Sequence, residues 1–138
     1  MNAERDVSQQ NVEIVQRIFD AWATGDLSAG AEHFDRHVLF VVSRDFPAWG
    51  IQCGLDRIRD YMRDFLAQWE HSTFTATRLR TAGDTVVTDV VQRAKGKASG
   101  AEGELRFFML FTFRGRQIVR YETVMNEAEA LEMVGLPQ

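Results

Sequence analysis

The chain has 138 residues, enough for one domain with a buried core, and its 45% hydrophobic and 26% charged residues are typical of a soluble globular protein. The net charge of -4 disfavours nucleic-acid binding, which needs a basic surface. One cysteine, Cys53, excludes an internal disulfide, and no apolar run approaches the roughly 20 residues that span a bilayer. We therefore expect a single cytoplasmic domain over residues 1–138, with residues 1–7 disordered and no association with membranes.

The first third of the chain has helical spacing. Apolar residues at i, i+3, i+4 and i+7 predict a helix from Ser8 to Thr24, with Ser8 as its N-cap. These apolar residues are Val15, Ile18, Phe19 and Trp22. A shorter second helix is expected after Asp26, with Leu27 and Phe34 buried.

The middle of the chain combines a short strand, a loop and one further helix. Val38 to Val42 is a β-type run, and Asp45 to Gly54 contains Pro47 and glycines, which indicates an irregular loop. A third helix is predicted from Leu55 to about Trp69, because its apolar residues form one stripe and its charged residues occupy the opposite side.

The second half of the chain is dominated by strands. Four runs are predicted as strands from their alternation and β-branched content: Phe74 to Arg80, Thr85 to Ala94, Leu105 to Phe113 and Ile118 to Met125. Asn126, followed three residues later by a glutamate, predicts the start of a last helix. This order indicates an α+β domain with helices packed on one face of a curved, mostly antiparallel sheet.

Several short motifs in this order resemble the SnoaL-like branch of the nuclear-transport-factor-2-like (NTF2-like) superfamily. They are Phe19 to Leu27, Gly54 to Ile58, Ile118 to Thr123 and Asn126 to Leu136. The resemblance implies a cone-shaped α+β barrel whose interior is the active or ligand site, and dimers that pair through the open face of the sheet. Known activities of the superfamily include ketosteroid isomerisation, polyketide cyclisation, epoxide hydrolysis and dehydration, while other members only bind proteins. Fold alone does not choose among them.

The catalytic positions of isomerase-type members fall on apolar residues of this chain. The inward tyrosine of the first helix falls on Ile18, the carboxylate base on Val42, and the second carboxyl on Met109. Proton abstraction next to a carbonyl needs a base and an oxyanion stabiliser, and these three side chains can be neither.

The other known catalytic sets also fall on unsuitable residues. The histidine and aspartate of cyclase-type members fall on Met109 and Thr123, and the charged residues of epoxide-hydrolase-type members fall near Val90, Gln92 and Thr123. A slip of one residue on the middle strand would reverse its faces and turn a charged pair, Asp89 and Arg93, inward. Both registers stay open, with the outward orientation of this pair preferred.

The preferred register predicts a ligand site inside the sheet, lined mainly by aromatic side chains with a few polar groups. Its residues are Trp22, Phe40, Trp49, Tyr61, Phe65, Gln92, Met109, Tyr121 and Thr123. Trp49 is included because a large apolar side chain is unexpected in a surface loop and indicates a binding role. No metal is expected, because the predicted helix ends between His33 and His37.

Two functions are compatible with these patterns. The first is a pocket protein that binds a small hydrophobic molecule, either as a binder or as an enzyme of the isomerase, cyclase or hydratase type that lacks the known catalytic set. The alternative is a non-catalytic module that binds a protein partner or has a filled core. We expect a homodimer and no cofactor in either case, and the sequence does not decide whether the chain is an enzyme.

Overall fold

The computed structural model describes residues 3–26, 30–46 and 49–136, and for residues 3–6 and Phe65 it describes the backbone only. Its helices are α1 (Ala3–Trp22), α2 (Leu55–Leu66) and α3 (Glu127–Val134), with a 3-10 turn at Ala31–His33. Its strands are β1 (Phe34–Val42), β2 (Gly50–Cys53), β3 (Trp69–Ala82), β4 (Thr85–Gly96), β5 (Glu102–Arg114) and β6 (Gln117–Val124). The predicted α+β class is confirmed.

The six strands form one curved, mixed sheet in the order β2-β1-β6-β5-β4-β3. Strand β1 runs parallel to β6, and every other neighbouring pair is antiparallel. Since β2 and β3 stand at the two ends of this order, the sheet has two edges and is not closed. The predicted fold, with helices packed in a curved and mostly antiparallel sheet, is confirmed, and the sheet is open rather than closed into a barrel.

Side chains alternate between the two faces of the sheet. The inner face carries Phe40, Met109 and Tyr121 in one large core that includes residues of α1 and α2. The outer face carries Leu110 and Val124, which pack with α3 in a second, smaller cluster. The expectation that all helices share one face was therefore wrong, because α3 covers the face opposite to α1 and α2.

Helix α1 has the predicted apolar stripe on its buried side. Ile18 and Phe19 are buried, and the Phe19 ring meets Phe111 edge to face with centroids 5.8 Å apart. Edge-to-face contacts of this kind add to the burial of the rings. The stripe therefore holds α1 against one end of the inner face. Within the described residues, no helix is long and apolar enough to cross a membrane.

Several predicted boundaries differ from the structure. Helix α1 begins at Ala3 rather than Ser8, so Ser8 lies inside the helix. Phe34 begins β1 instead of lying in a second helix, and the predicted loop contains β2. Trp69 begins β3, because α2 ends at Leu66.

Some of the predicted features lie outside the described residues. They are Leu27, Pro47 and residues 1–2 of the segment that was predicted to be disordered.

The predicted start of the last helix is confirmed at Asn126. Its side chain accepts a hydrogen bond from the backbone N–H of Glu129 at 3.2 Å, which satisfies one of the free donors of the first turn. The helix ends at Gly135, whose φ of 75° is a left-handed conformation that glycine adopts without steric cost.

Replacing the N-cap should destabilise the domain. We expect Asn126→Ala to lower the free energy of unfolding by about 1 kcal/mol, because the Glu129 N–H then loses its acceptor. Asn126→Ser keeps a capping oxygen and should lie close to the wild type in urea unfolding. Equal stabilities for the alanine and serine variants would contradict the capping role.

Candidate functional site

A cavity of about 560 Å³ lies between α2 and the inner face of the sheet. Its buried wall is formed by β1, β3, β4, β5 and β6, and its mouth lies where α2 ends and where β3 and β5 begin. The volume falls within the range of roughly 300–1,000 Å³ that is usual for small-molecule sites. The interior expected from the sequence to hold a ligand is thus partly open space.

The two inner helices divide the inner face between them. Along β5, Phe111 meets Phe19 of α1 and Phe113 lies in the core, whereas Met109 and Phe107 line the cavity. Along β4, Val90 lies in the core and Gln92 lines the cavity. On β5 and β4 the cavity wall therefore begins beyond Phe111 and Val90, which lie in the core outside it.

Six of the nine predicted site residues line this cavity. They are Phe40, Tyr61, Gln92, Met109, Tyr121 and Thr123. All six follow from the preferred strand register or from the apolar stripe of α2. The side chain of Phe65 lies outside the described part of the structure.

The two predicted tryptophans lie elsewhere. Trp22 is buried in the core with its ring against Phe19 and Phe74, at centroid distances of 5.1 and 6.0 Å. Trp49 is 59% exposed and lies beneath the guanidinium of Arg44, 5.3 Å from its carbon to the ring centroid. Cation–π contact with Arg44, rather than a place on the cavity wall, accounts for this loop tryptophan.

Other cavity residues were absent from the predicted set. The apolar and aromatic ones are Val42, Phe46, Met62, Trp69, Phe74, Ala94, Leu105 and Phe107. Val42, Ala94 and Phe107 could have been found from the same alternation along the strands, because each lies two residues from a member that was chosen. Phe46 could not, since it follows β1 in a segment without periodicity.

Three aromatic rings on neighbouring strands form a stack, and two of them, Phe40 and Tyr121, line the cavity. Phe40, Tyr121 and Phe111 are partners in the ladders of β1, β6 and β5. Their rings stack with centroids 4.5 and 5.0 Å apart and planes tilted by 11° and 16°. The Tyr61 ring of α2 closes edge to face on Phe40 at 5.4 Å. This cluster holds the Tyr121 side chain in one orientation.

The hydroxyl of Tyr121 is buried beside a sulfur atom. It donates to Sδ of Met109 at 3.5 Å. Burial, with a smaller contribution from the neighbouring Tyr61, raises the pKa of Tyr121 well above its ordinary value. Burial also raises the pKa of Tyr61. Both phenols therefore stay protonated at neutral pH and act as hydrogen-bond donors rather than as bases.

The next row of ladder partners carries a buried hydroxyl group, that of Thr123. Thr123 lies opposite Met109 and beside Val42, and only 7% of its surface is exposed. Its Oγ1 atom has no hydrogen-bond partner within the described residues. The oxygen is enclosed within the wall, and a buried polar atom left in this way costs about 1–3 kcal/mol.

A second polar group lies on β4. Gln92 is buried, and its Nε2 donates to Oγ of Ser72 at 3.2 Å. An amide NH₂ has two protons, so Gln92 keeps hydrogen-bonding capacity for the cavity after this contact. The buried wall is therefore largely apolar, and its few polar groups, those of Gln92, Thr123 and the tyrosines, are neutral.

The charged residues of the cavity are acidic and lie at its mouth. The side chains of Asp64 and Glu104 are 80% and 40% exposed, respectively. Glu104 is paired with Arg93 and Arg106 at 3.5 and 2.9 Å, and neither arginine lines the cavity. The cavity wall thus presents no cation to a ligand among the residues that the structure places there.

The structure places the pair Asp89 and Arg93 away from the cavity. Asp89 lies on the outer face, where its Oδ1 is 2.8 Å from Nη2 of Arg80. Arg80 also reaches Oε1 of Glu127 in α3 at 3.5 Å. Arg93 pairs with Glu104 instead, so the outward orientation is as predicted and the partner of Asp89 is different.

Burial of the Tyr121 phenol should appear in the pH dependence of stability. In the unfolded chain a tyrosine ionises near pH 10, whereas Tyr121 in the folded protein keeps its proton to higher pH. Above about pH 10 the unfolded state therefore binds fewer protons, and the free energy of unfolding falls by up to about 1.4 kcal/mol per pH unit. Tyr121→Phe should remove this component, measured by urea unfolding between about pH 9 and 11.5.

Tyr61→Phe serves as the matched control. Tyr61 is less buried, so the same change there should reduce the slope by less. Identical slopes for the wild type and Tyr121→Phe would contradict the assigned burial of this hydroxyl.

Comparisons with known proteins agree with this architecture. The structure resembles a candidate SnoaL-like polyketide cyclase from Jannaschia sp. CCS1, with a TM-score of 0.75, 15% identity and 96% of each chain covered. It also resembles an NTF2-like protein from Burkholderia thailandensis, with a TM-score of 0.74, 22% identity, and 92% of this chain and 98% of that chain covered.

A third solved structure is a hypothetical protein with a ketosteroid isomerase-like fold from Catenulispora acidiphila, in complex with trimethylamine. Its TM-score is 0.70 at 22% identity, with 91% of this chain and 94% of that chain covered. A search of curated proteins finds no match. The family model of the SnoaL-like domain matches residues 15–121. The chain therefore belongs to the SnoaL-like domain family, and its fold is that of NTF2-like proteins.

Proposed function

We propose that this protein binds a small, uncharged and largely apolar molecule in the cavity between α2 and the sheet. The observation that carries the proposal is the cavity of about 560 Å³ itself, which is enclosed by a largely apolar wall that includes Phe40, Met109 and Tyr121. A cavity with apolar walls and a few placed polar groups is the usual form of a small-molecule site.

The chemistry of the wall supports an uncharged occupant. Its buried part offers aromatic and aliphatic surface, together with the neutral polar groups of Gln92, Tyr121 and Thr123. A charged group moved there from water would lose its hydration without an opposite charge on the wall, which is costly. The likeness to a candidate polyketide cyclase supports a cyclic, apolar compound as the class to test first.

The proposal concerns binding rather than a named reaction. The titratable groups on the buried wall are Tyr61 and Tyr121, whose pKa values burial has raised, so they donate protons in hydrogen bonds and do not accept them as bases. The carboxylates Asp64 and Glu104 lie at the exposed mouth. The rival function, a module with a filled core, predicted no cavity near Met109 and Thr123, and the open space there favours binding.

Closing the mouth should abolish binding. Gly103 lines the cavity opposite Ala94, and a Cβ added there meets no atom within 4 Å, so the side chain of Gly103→Leu would enter open space. In a thermal and urea unfolding screen of neutral bicyclic aromatics, a ligand at 100 times its Kd should stabilise the wild type by about 2.7 kcal/mol. Gly103→Leu should lose this effect.

Trp49→Ala is the control, since it truncates a large aromatic side chain that lies outside the cavity wall. It should keep the full ligand effect. The proposal fails if no compound in the screen stabilises the wild type, or if Gly103→Leu responds as strongly as the wild type does.

The cavity should also discriminate by charge. We expect 2-naphthoate to bind at least about tenfold more weakly than 2-acetylnaphthalene, because its carboxylate would lose hydration without gaining a cation. Gln68→Lys adds a positive charge at the exposed mouth and should narrow the difference in Kd, measured by calorimetry. Equal affinity of the wild type for both compounds would contradict an uncharged ligand.

A further inference from the structure

A second, polar cavity lies beside the first, between α2 and β2, and we call it the groove. Its volume is about 430 Å³, and it is lined by Gln52 of β2 and by Arg57, Asp60, Tyr61 and Asp64 of α2. The α2 residues recur at intervals of three and four positions, so their side chains share one side of the helix. From Arg57 to Asp64 the groove therefore follows α2 for about 10 Å.

The groove adjoins the apolar cavity. Tyr61 and Asp64 line both spaces. Gln52 is the ladder partner of Phe40, so its side chain lies on the same inner face of the sheet, one strand nearer the edge. The Tyr61 ring packs on Phe40 between them. Because Asp64 lies at the mouth of the cavity, a ligand that leaves the mouth can continue along α2 into the groove.

The side chains of the groove have hydrogen-bonding capacity that the protein does not use. Within the described residues, the Gln52 amide and the Arg57 guanidinium have neither a hydrogen bond nor an ion pair. Asp60 and Asp64 lie 3.3 and 3.8 Å from Arg63, and both are largely exposed. Each carboxylate keeps further lone pairs for a ligand. The groove therefore presents N–H donors and carboxylate acceptors together.

This combination suits hydroxyl groups better than ions. A hydroxyl donates one proton and accepts through its lone pairs, so it can bond to a carboxylate and to an N–H group. An anionic group would be attracted by Arg57 but repelled by Asp60 and Asp64. A cationic group would be repelled by Arg57 and would find both carboxylates already beside Arg63. A neutral group with several hydroxyls uses the most of the groove.

We infer that the groove binds a sugar, and that the ligand is a glycoside whose apolar body occupies the cavity. This inference rests on the proposed function, since the cavity still holds the uncharged, apolar part of the molecule. It adds that the polar part passes Tyr61 and Asp64 and ends against Gln52 and Arg57.

The test compares two probes with the same apolar body. In 2-naphthyl β-D-glucopyranoside a glucose replaces the methyl group of 2-methoxynaphthalene, and the ring system and its ether oxygen are kept. We expect the wild type to bind the glucoside about tenfold more tightly, which corresponds to one or two additional hydrogen bonds. Calorimetric titration measures both Kd values.

Substitutions in the groove should affect only the glucoside. Gln52→Met and Arg57→Met keep the length of the side chain and remove its N–H donors. We expect each to weaken the glucoside about fivefold and to change the Kd of 2-methoxynaphthalene by less than about twofold.

Arg59→Met is the matched control. Arg59 is exposed on α2 as Arg57 is, but it lies 3.7 Å from Asp56 and does not line the groove. The same loss of a guanidinium there should leave both affinities unchanged, which separates contact with the sugar from a general effect of charge on α2.

A third probe distinguishes a sugar site from an anion site. In 2-naphthyl β-D-glucuronide a carboxylate replaces the hydroxymethyl group of the glucoside. We expect the wild type to bind it no more tightly than the glucoside, because Asp60 and Asp64 face the same space as Arg57. Tighter binding of the glucuronide that is lost in Arg57→Met would show an anion site and overturn the inference.

The remaining outcomes separate this inference from the proposed function. Equal affinity of the wild type for the glucoside and 2-methoxynaphthalene would overturn the inference, as would a glucoside affinity that neither Gln52→Met nor Arg57→Met lowers. Either result leaves binding of the apolar body in the cavity standing. Binding of neither probe to the wild type would overturn the proposed function and this inference with it.

Discussion

The stack of three rings across β1, β6 and β5 is the constraint on which the rest of the interior depends. Phe40, Tyr121 and Phe111 are ladder partners whose rings lie 4.5 and 5.0 Å apart. A slip of one residue would turn any of these rings to the opposite face of the sheet. The stack therefore stabilises one register of β1, β6 and β5, of which β1 and β6 run parallel. The neighbouring row must then be Val42, Thr123 and Met109, and this row lines the cavity.

That register decides the chemistry of the interior. The positions where the resemblance led us to expect acids and bases are Ile18, Val42 and Met109, and the structure places the last two on the cavity wall and Ile18 in the core. The polar groups that remain on the buried wall are neutral. Such a wall recognises a ligand by apolar contact and a few hydrogen bonds, which supports selection for an uncharged molecule.

The sequence predicted those features that follow from local periodicity. Alternation along β6 placed Tyr121 and Thr123 inward, and the capping pattern located Asn126. It could not place Trp49, because a loop has no period that tells which way a side chain points. The sequence also could not predict the pairing of Asp89 with Arg80. An irregularity in β3 shifts the register of β3 against β4, and no local sequence pattern indicates such a shift.

The most direct test of this account is a crystal structure of the protein with 2-acetylnaphthalene. The account predicts that the naphthalene rings lie between the sheet and α2, in contact with Phe40, Tyr61 and Met109 of the cavity wall. It would be contradicted by a structure in which Phe46, Tyr61 and Met62 fill the space between α2 and β6 and the compound is bound elsewhere or not at all.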